Sequence, residues 1–255
     1  DMTGAAIWFD SLGEMVLGES GEVLEWYDSI NSIAATAQSQ TAPKYKDGAI
    51  SFDGVGDSMV YDHSLSGKSD VSIVVNAKSR KSSTDYYDSF KINNSARYSL
   101  LHYPESGSWG SVYFSAFYDG IVCRFGSGED NNRGIFYSGL TLYGWKTVSA
   151  IKKGTSEKIW LCTKAVYDRA TDKSNTHQMG TPGESITATK DYAYIGLGIQ
   201  SATNYYYCGD VRDIVVFERA LNKEELAALD AYFKAKNNNT LKDESDVIVA
   251  EFESF

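Results

Sequence analysis

Only 3 of the 255 residues are proline, 3 are cysteine and 3 are histidine, and each shortage removes a class of protein. With so little proline the turns must rely on Gly, Asn, Asp and Ser, and the richness in Tyr, Gly and Ser points to a β-sandwich. Cys123, Cys162 and Cys208 are odd in number, widely spaced and outside any CxxC or paired-histidine pattern, so neither a zinc site nor a dense disulfide framework is expected. Each stands beside apolar residues, as in Ile121-Val122-Cys123 and Trp160-Leu161-Cys162. They read as buried small hydrophobes, with one disulfide between two of them as the alternative. Among the histidines, His63 and His177 sit in polar, turn-like segments and read as surface residues. With His102 they are too few, and no Gly-x-Ser-x-Gly elbow surrounds any serine, so serine or cysteine hydrolase chemistry lacks its parts. Gly126-Ser127-Gly128 has neither the following helix nor the lysine of a phosphate loop.

Long apolar runs are also missing, which excludes a membrane-inserted helix. No charged-then-apolar leader opens the chain at Asp1, as expected of a mature or excised piece of something longer. Clustered basic charge is absent too. The formal net charge is −10, and Lys152-Lys153 or the group Lys78, Arg80 and Lys81 is too short to track a phosphate backbone. Nucleic acid is therefore not an expected partner.

What is present is a series of short strands bounded by Gly, Asn, Asp or Ser. Residues 5–10, 23–28, 49–54, 57–61 and 71–77 are candidates in the first third, followed by 98–103, 112–118, 121–125, 135–137, 140–143, 146–152 and 158–163. Strands in succession without intervening helices imply antiparallel sheets, and a sandwich of this length can form one domain. Residues 192–235 organise the end of the chain as strand, variable loop, a turn at Cys208-Gly209-Asp210, a β-branched strand through Val211 to Phe217, and an amphipathic helix. Asn222 is placed to cap that helix and Glu224 and Glu225 occupy its first turn, while Leu226, Leu229, Tyr232 and Phe233 recur at helical spacing. The expected organisation is a sandwich over 1–239 and an acidic, strand-forming tail over 240–255. That tail reads equally as an edge strand and as a connection through which an assembly forms.

Several separated pieces are collinear: Trp26-x-Asp28-Ser29, Ala42-Pro43-Lys44-Tyr45, Phe52-Asp53-Gly54-x-Gly56-Asp57, Tyr194-Ile195-Gly196, Gly209-Asp210-Val211, and the run from Phe217 to Leu226. Together, over about residues 7–236, they resemble the laminin G-like domains of the concanavalin A-like lectin and glucanase superfamily. The resemblance implies an all-β jelly-roll sandwich of two antiparallel sheets with one C-terminal amphipathic helix. Its motifs are structural: Asp53-Gly54 and Gly209-Asp210 would mark strand reversals, and Trp8, Trp26 and Phe52 would fill the space between the sheets. Arg219 has two readings, paired with an acid at the helix start or solvated.

The glucanase branch of that superfamily sets three carboxylates at alternate positions of one strand. Here Asp210, Asp213 and Glu218 are three and five residues apart, a spacing that puts them on different faces, and Glu251 and Glu253 lack a third partner. The protein is therefore not expected to be an enzyme. Binding fits better, because sugars are held by aromatic platforms and short polar side chains. The candidates are Tyr205, Tyr206 and Tyr207, where alternation turns either Tyr206 or its two neighbours outward, Tyr86 and Tyr87 in a polar loop, and Trp109 between glycine-flanked residues. Packing against a neighbouring loop or the core competes at each. Glu129, Asp130 and Asn131 supply hard oxygen ligands suited to Ca²⁺, against the plainer reading of a solvated hairpin tip. Asn93-Asn94-Ser95 and Asn238-Asn239-Thr240 are formal glycosylation acceptors. The expectation is a non-catalytic recognition module for glycan or a surface protein, on a larger extracellular, cell-surface or virion protein. The rivals are a structural or host-attachment domain of an assembly, and a polysaccharide hydrolase with an atypical site.

Overall fold

The computed structural model describes residues 2–38, 42–79, 97–104, 112–117, 120–125, 134–138, 144–154, 159–162, 186, 190–200 and 203–238. Strands β1 (Ile7–Asp10), β2 (Met15–Leu17), β3 (Val23–Tyr27), β4 (Ala34–Ala37), β5 (Lys44–Lys46), β6 (Ala49–Asp53), β7 (Met59–Asp62) and β8 (Val71–Ser79) form the first part of the chain. They are followed by β9 (Arg97–Tyr103), β10 (Val112–Phe117), β11 (Gly120–Phe125), β12 (Gly134–Ser138), β13 (Lys146–Lys152) and β14 (Ile159–Cys162). Last come β15 (Tyr192–Ile195), β16 (Leu197–Gln200), β17 (Thr203–Tyr206), β18 (Cys208–Phe217) and the helix α1 (Lys223–Asn237). Two sheets result. One has seven strands in the order β14-β13-β8-β18-β6-β5, with β1 also on β18; the other has eleven, running β12-β11-β10-β9-β15-β7-β4-β3-β2 with the β16–β17 hairpin attached. Apart from a parallel pairing of Tyr206 with Ser99, these ladders are antiparallel.

Alternation along the strands assigns each face. From the seven-stranded sheet Ile73, Val75, Ala77, Val148, Ala150, Val211, Ile214 and Val216 turn inward, and from the other sheet Trp26, Tyr61, Leu101, Tyr103, Phe114 and Phe125 meet them. Phe9 stands edge-on to Tyr61 with ring centroids 4.9 Å apart and lies 5.2 Å from Trp26, whose Nε1 donates to the Asp10 carbonyl at 2.8 Å. Each such buried aromatic contributes roughly 2–3 kcal/mol of apolar burial.

The opposite face of the seven-stranded sheet is covered by α1. Asn222 Oδ1 accepts from Glu225 N at 2.9 Å while Glu225 Oε2 accepts from Asn222 N at 2.8 Å, a reciprocal capping box. Leu226, Leu229, Tyr232 and Phe233 then bury against Val74, Ile151, Val215 and Phe217. Near the helix end, Lys236 lies between two carboxylates, Asp10 and Asp213, with 2.7 Å to Asp213 Oδ1. Asn76 donates to the other Asp213 oxygen at 2.9 Å. Arg219, for which two positions were open, pairs with Glu225 at 2.6 Å.

The structure corrects the sequence reading at several points. Cys208-Gly209-Asp210 is not a turn but the start of β18, paired with Phe52, Ser51 and Lys78. Gly209 is required there by close approach: a Cβ would meet the Tyr207 ring at 2.7 Å and press on the Lys78 carbonyl. Asp53-Gly54 does reverse the chain, with Gly54 at φ +81° and Asp53 Oδ1 accepting from the amides of Val55, Gly56 and Asp57. Trp8 does not fill the space between the sheets. It packs under α1, 6.2 Å from Tyr232, because in β1 its neighbours Ile7 and Phe9 take the inward positions. Strands β2, β4 and β16 lie in stretches that carried no strand signal, and β17 (Thr203–Tyr206) falls where strand alternation was read only for Tyr205 to Tyr207. Cys123 and Cys208 are buried. The expected strand at 140–143 and the tail at 240–255 lie outside the described residues.

Candidate functional site

The outer face of the eleven-stranded sheet carries the polar side chains that the core excludes. In β9, His102 alternates with inward Leu101 and Tyr103; in β10, Tyr113 alternates with Val112 and Phe114; in β11, Arg124 alternates with Cys123 and Phe125. Register then lines these up across the sheet. Tyr194 of β15 is opposite His102, His102 is opposite Tyr113, and Tyr113 is opposite Arg124. Directly paired antiparallel residues share a face with Cβ atoms about 5 Å apart, so the four form one transverse row. Ser99 and Ser115, paired with each other, make a second polar row beside it.

Two of the four side chains of the row are buried. His102 is 2% exposed and Arg124 5%, whereas Tyr113, Tyr192 and Tyr194 are half-buried. Tyr192 and Tyr194 meet edge-on at 5.5 Å, and the Tyr194 ring lies 6.4 Å from that of His102. Burial raises the Tyr194 hydroxyl to about 12. The β16–β17 hairpin reaches over this face, where Ile199 N–H donates to His102 Nδ1 at 3.1 Å. The chain can turn into that hairpin because Gly196 adopts φ +80° and lets the Phe52 ring come within 2.5 Å of where a Cβ would stand. Since Nδ1 accepts, the neutral imidazole carries its proton on Nε2. Burial lowers the His102 pKa to about 4, so that neutral form holds at physiological pH.

Of the sequence-derived site residues, Tyr205 and Tyr206 are half-buried on β17, and Asn204 donates to the Tyr206 hydroxyl at 3.2 Å. Tyr207 is corrected: it is fully buried, edge-on to Phe52, because β17 ends at Tyr206 and the next residue drops into the core. Tyr86, Tyr87, Trp109, Glu129, Asp130 and Asn131 lie outside the described residues. Among the described residues no group of three His, Cys, Asp or Glu side chains is gathered to hold a metal ion.

The carboxylates weighed as a catalytic set are dispersed. Asp213 sits beneath α1 with Lys236, Asp210 is 3.3 Å from Lys78 and accepts from Ser51, and Glu218 pairs with Lys68. His63 differs from the surface residue expected. Its Nδ1 lies 2.9 Å from the Tyr103 hydroxyl, which bonds that of Tyr61 at 2.8 Å, and burial lowers its pKa although Glu218 opposes the shift.

A recess of about 440 Å³ lies at the helix start between Met2, Phe217, Leu221 and Leu229, with Arg219 and Glu225 among its lining. No described helix is long and apolar enough to cross a membrane.

No protein-family model matches the chain, and no curated protein matches its sequence. Solved structures do match its fold. The binding domain of botulinum neurotoxin DC, solved with rat synaptotagmin II, superposes with a TM-score of 0.63 at 8% identity over 91% of this chain and 52% of that one. A botulinum neurotoxin type C structure, described as depending for cell entry on two ganglioside molecules, gives 0.58 at 10% identity over 84% and 51%. Trypanosoma rangeli sialidase gives 0.56 at 13% identity, covering 91% of this chain and 33% of the enzyme. The chain thus spans about half the length of the toxin structures it matches. At such identities the likeness establishes the all-β sandwich and nothing finer.

Proposed function

We propose that the chain is a non-catalytic recognition module that binds carbohydrate on the outer face of its eleven-stranded sheet, within a larger surface or extracellular protein. The observation that carries this reading is the Tyr194–His102–Tyr113–Arg124 row, in which buried polar side chains alternate with half-buried tyrosines. Sugars present an apolar ring face and a polar edge, and such a row suits both. The dispersal of Asp210, Asp213 and Glu218 supports a site without hydrolytic carboxylates. The collinear motifs between Trp26 and Leu226 support a place among laminin G-like domains, and the gangliosides and synaptotagmin II named for the toxin structures fit a recognition role. Trp109, Tyr86 and Tyr87 are proposed as further sugar contacts, and Glu129, Asp130 and Asn131 as ligands of Ca²⁺.

A glycan array followed by calorimetry tests this. Binding of at least one glycan class is expected, weakened about tenfold or more by Tyr194→Ala or Tyr113→Ala, in line with one lost aromatic contact. Weaker binding in a chelator would support the Ca²⁺ assignment. Retention of no glycan, or equal affinity in all variants, would sink the proposal.

A further inference from the structure

The buried floor of the row holds two side chains that can only donate there, His102 and Arg124. His102 spends its only acceptor, Nδ1, on the Ile199 amide, which leaves Nε2–H as a donor. No described group accepts a hydrogen bond from that Nε2, which is not among the buried atoms left without a partner and so keeps some access in a residue otherwise buried. Arg124, one strand beyond Tyr113, offers N–H donors and no acceptor whatever else it contacts. A group that can only donate gains most from a ligand atom that can only accept.

We propose that this site selects sugars bearing an acceptor-only oxygen, an amide carbonyl or a carboxylate, which takes the hydrogen bond from His102 Nε2–H while the sugar ring lies against Tyr194 or Tyr113. The inference rests on the carbohydrate reading above and adds the ligand class and the residue that chooses it. A hydroxyl can also accept, but its own proton then needs an acceptor, and among the described side chains of the two rows these are the neutral hydroxyls of Tyr113, Tyr194, Ser99 and Ser115, not His102 or Arg124. Hydroxyl-only sugars therefore bind more weakly. Ile199 is the positioning partner: its amide fixes the imidazole tautomer, so the hairpin and the selecting donor are set by one contact.

The test uses the whole chain, the methyl glycosides of glucose, N-acetylglucosamine and glucuronic acid as probes, and ¹⁵N-labelled protein for imidazole NMR at pH 7. His102 is expected as the Nε2–H tautomer, with its resonance moved by the acetamido or the carboxylate sugar and scarcely by glucoside. Calorimetry should show one or both of those sugars binding about tenfold more tightly than glucoside. The arm that responds distinguishes carbonyl from carboxylate. His102→Phe should erase the preference, and His102→Gln, whose amide can donate from nearly the same place, should keep part of it; melting curves and the Ile199 amide resonance show whether each variant holds its fold. An Nδ1–H tautomer, or a preference unchanged in His102→Phe, overturns the inference alone. If no sugar binds the unaltered chain, the carbohydrate reading falls and the inference falls with it.

Discussion

A single imidazole carries information at the residue scale that its position in the sequence does not display. His102 lies between Leu101 and Tyr103 in a run that reads simply as strand. The signal was nonetheless present three times: one polar residue between two inward apolar ones in β9, β10 and β11. Only register turns those three into a row, and register between strands is set by pairing that a local pattern does not contain. Tyr207 is the inward residue of one of the two arrangements that alternation left open, and only the pairing around β17 chooses between them. A pH dependence follows for His102. Its folded pKa of about 4 lies below the ordinary 6.5, so unfolding takes up a proton that the native state refuses. Stability is lost as pH falls through 6.5 and the loss levels off near 4, reaching about 3 kcal/mol. Asp213 acts in the other direction. Burial raises its carboxyl to about 6, so the folded chain accepts a proton first and gains stability as pH falls from there toward the usual carboxylate range. The His102 effect is therefore read as a difference. Urea denaturation of the unaltered chain and of His102→Gln at pH 7 and 4.5 should show the gap between them shifting toward the variant by about 2 kcal/mol on acidification; a constant gap would contradict the assignment.

At the scale of elements, α1 was the most legible part of the chain. Cap, first-turn acids and apolar stripe all lie within sixteen consecutive residues, Asn222 to Asn237, and each agrees with the same helix. Asn222→Ala removes the acceptor of the capping box and should cost about 1 kcal/mol, measured by denaturant midpoint. The anchor at the helix's other end was illegible, because Asp10, Asp213 and Lys236 are brought together from the two ends of the chain. Lys236→Ala leaves two carboxylates buried against each other, and the expected loss is about 3–5 kcal/mol. In the triple change Lys236→Met, Asp10→Asn and Asp213→Asn, most of that stability should return. Equal losses in the single and triple variants would mean that the ion cluster is not what the helix end depends on.

For the whole molecule, composition and strand count were enough to indicate a sandwich, and solved folds at 8–13% identity share that architecture. The division of labour between the two outer faces was not legible, since it depends on which sheet the helix covers. Removing the chain from residue 223 onward would uncover Val74, Ile151, Val215 and Phe217 together. That truncated protein should associate in gel filtration and bind a hydrophobic dye, whereas a monomeric, dye-free product would show that the helix is dispensable. The covered face has another use. Ala227 and Ala231 are exposed on α1, on the side of the molecule opposite the Tyr194–Arg124 row. A cysteine placed at either would tether every copy with its polar sheet facing outward, so that bead or chip density alone would set the number of sites a multivalent surface could engage at once.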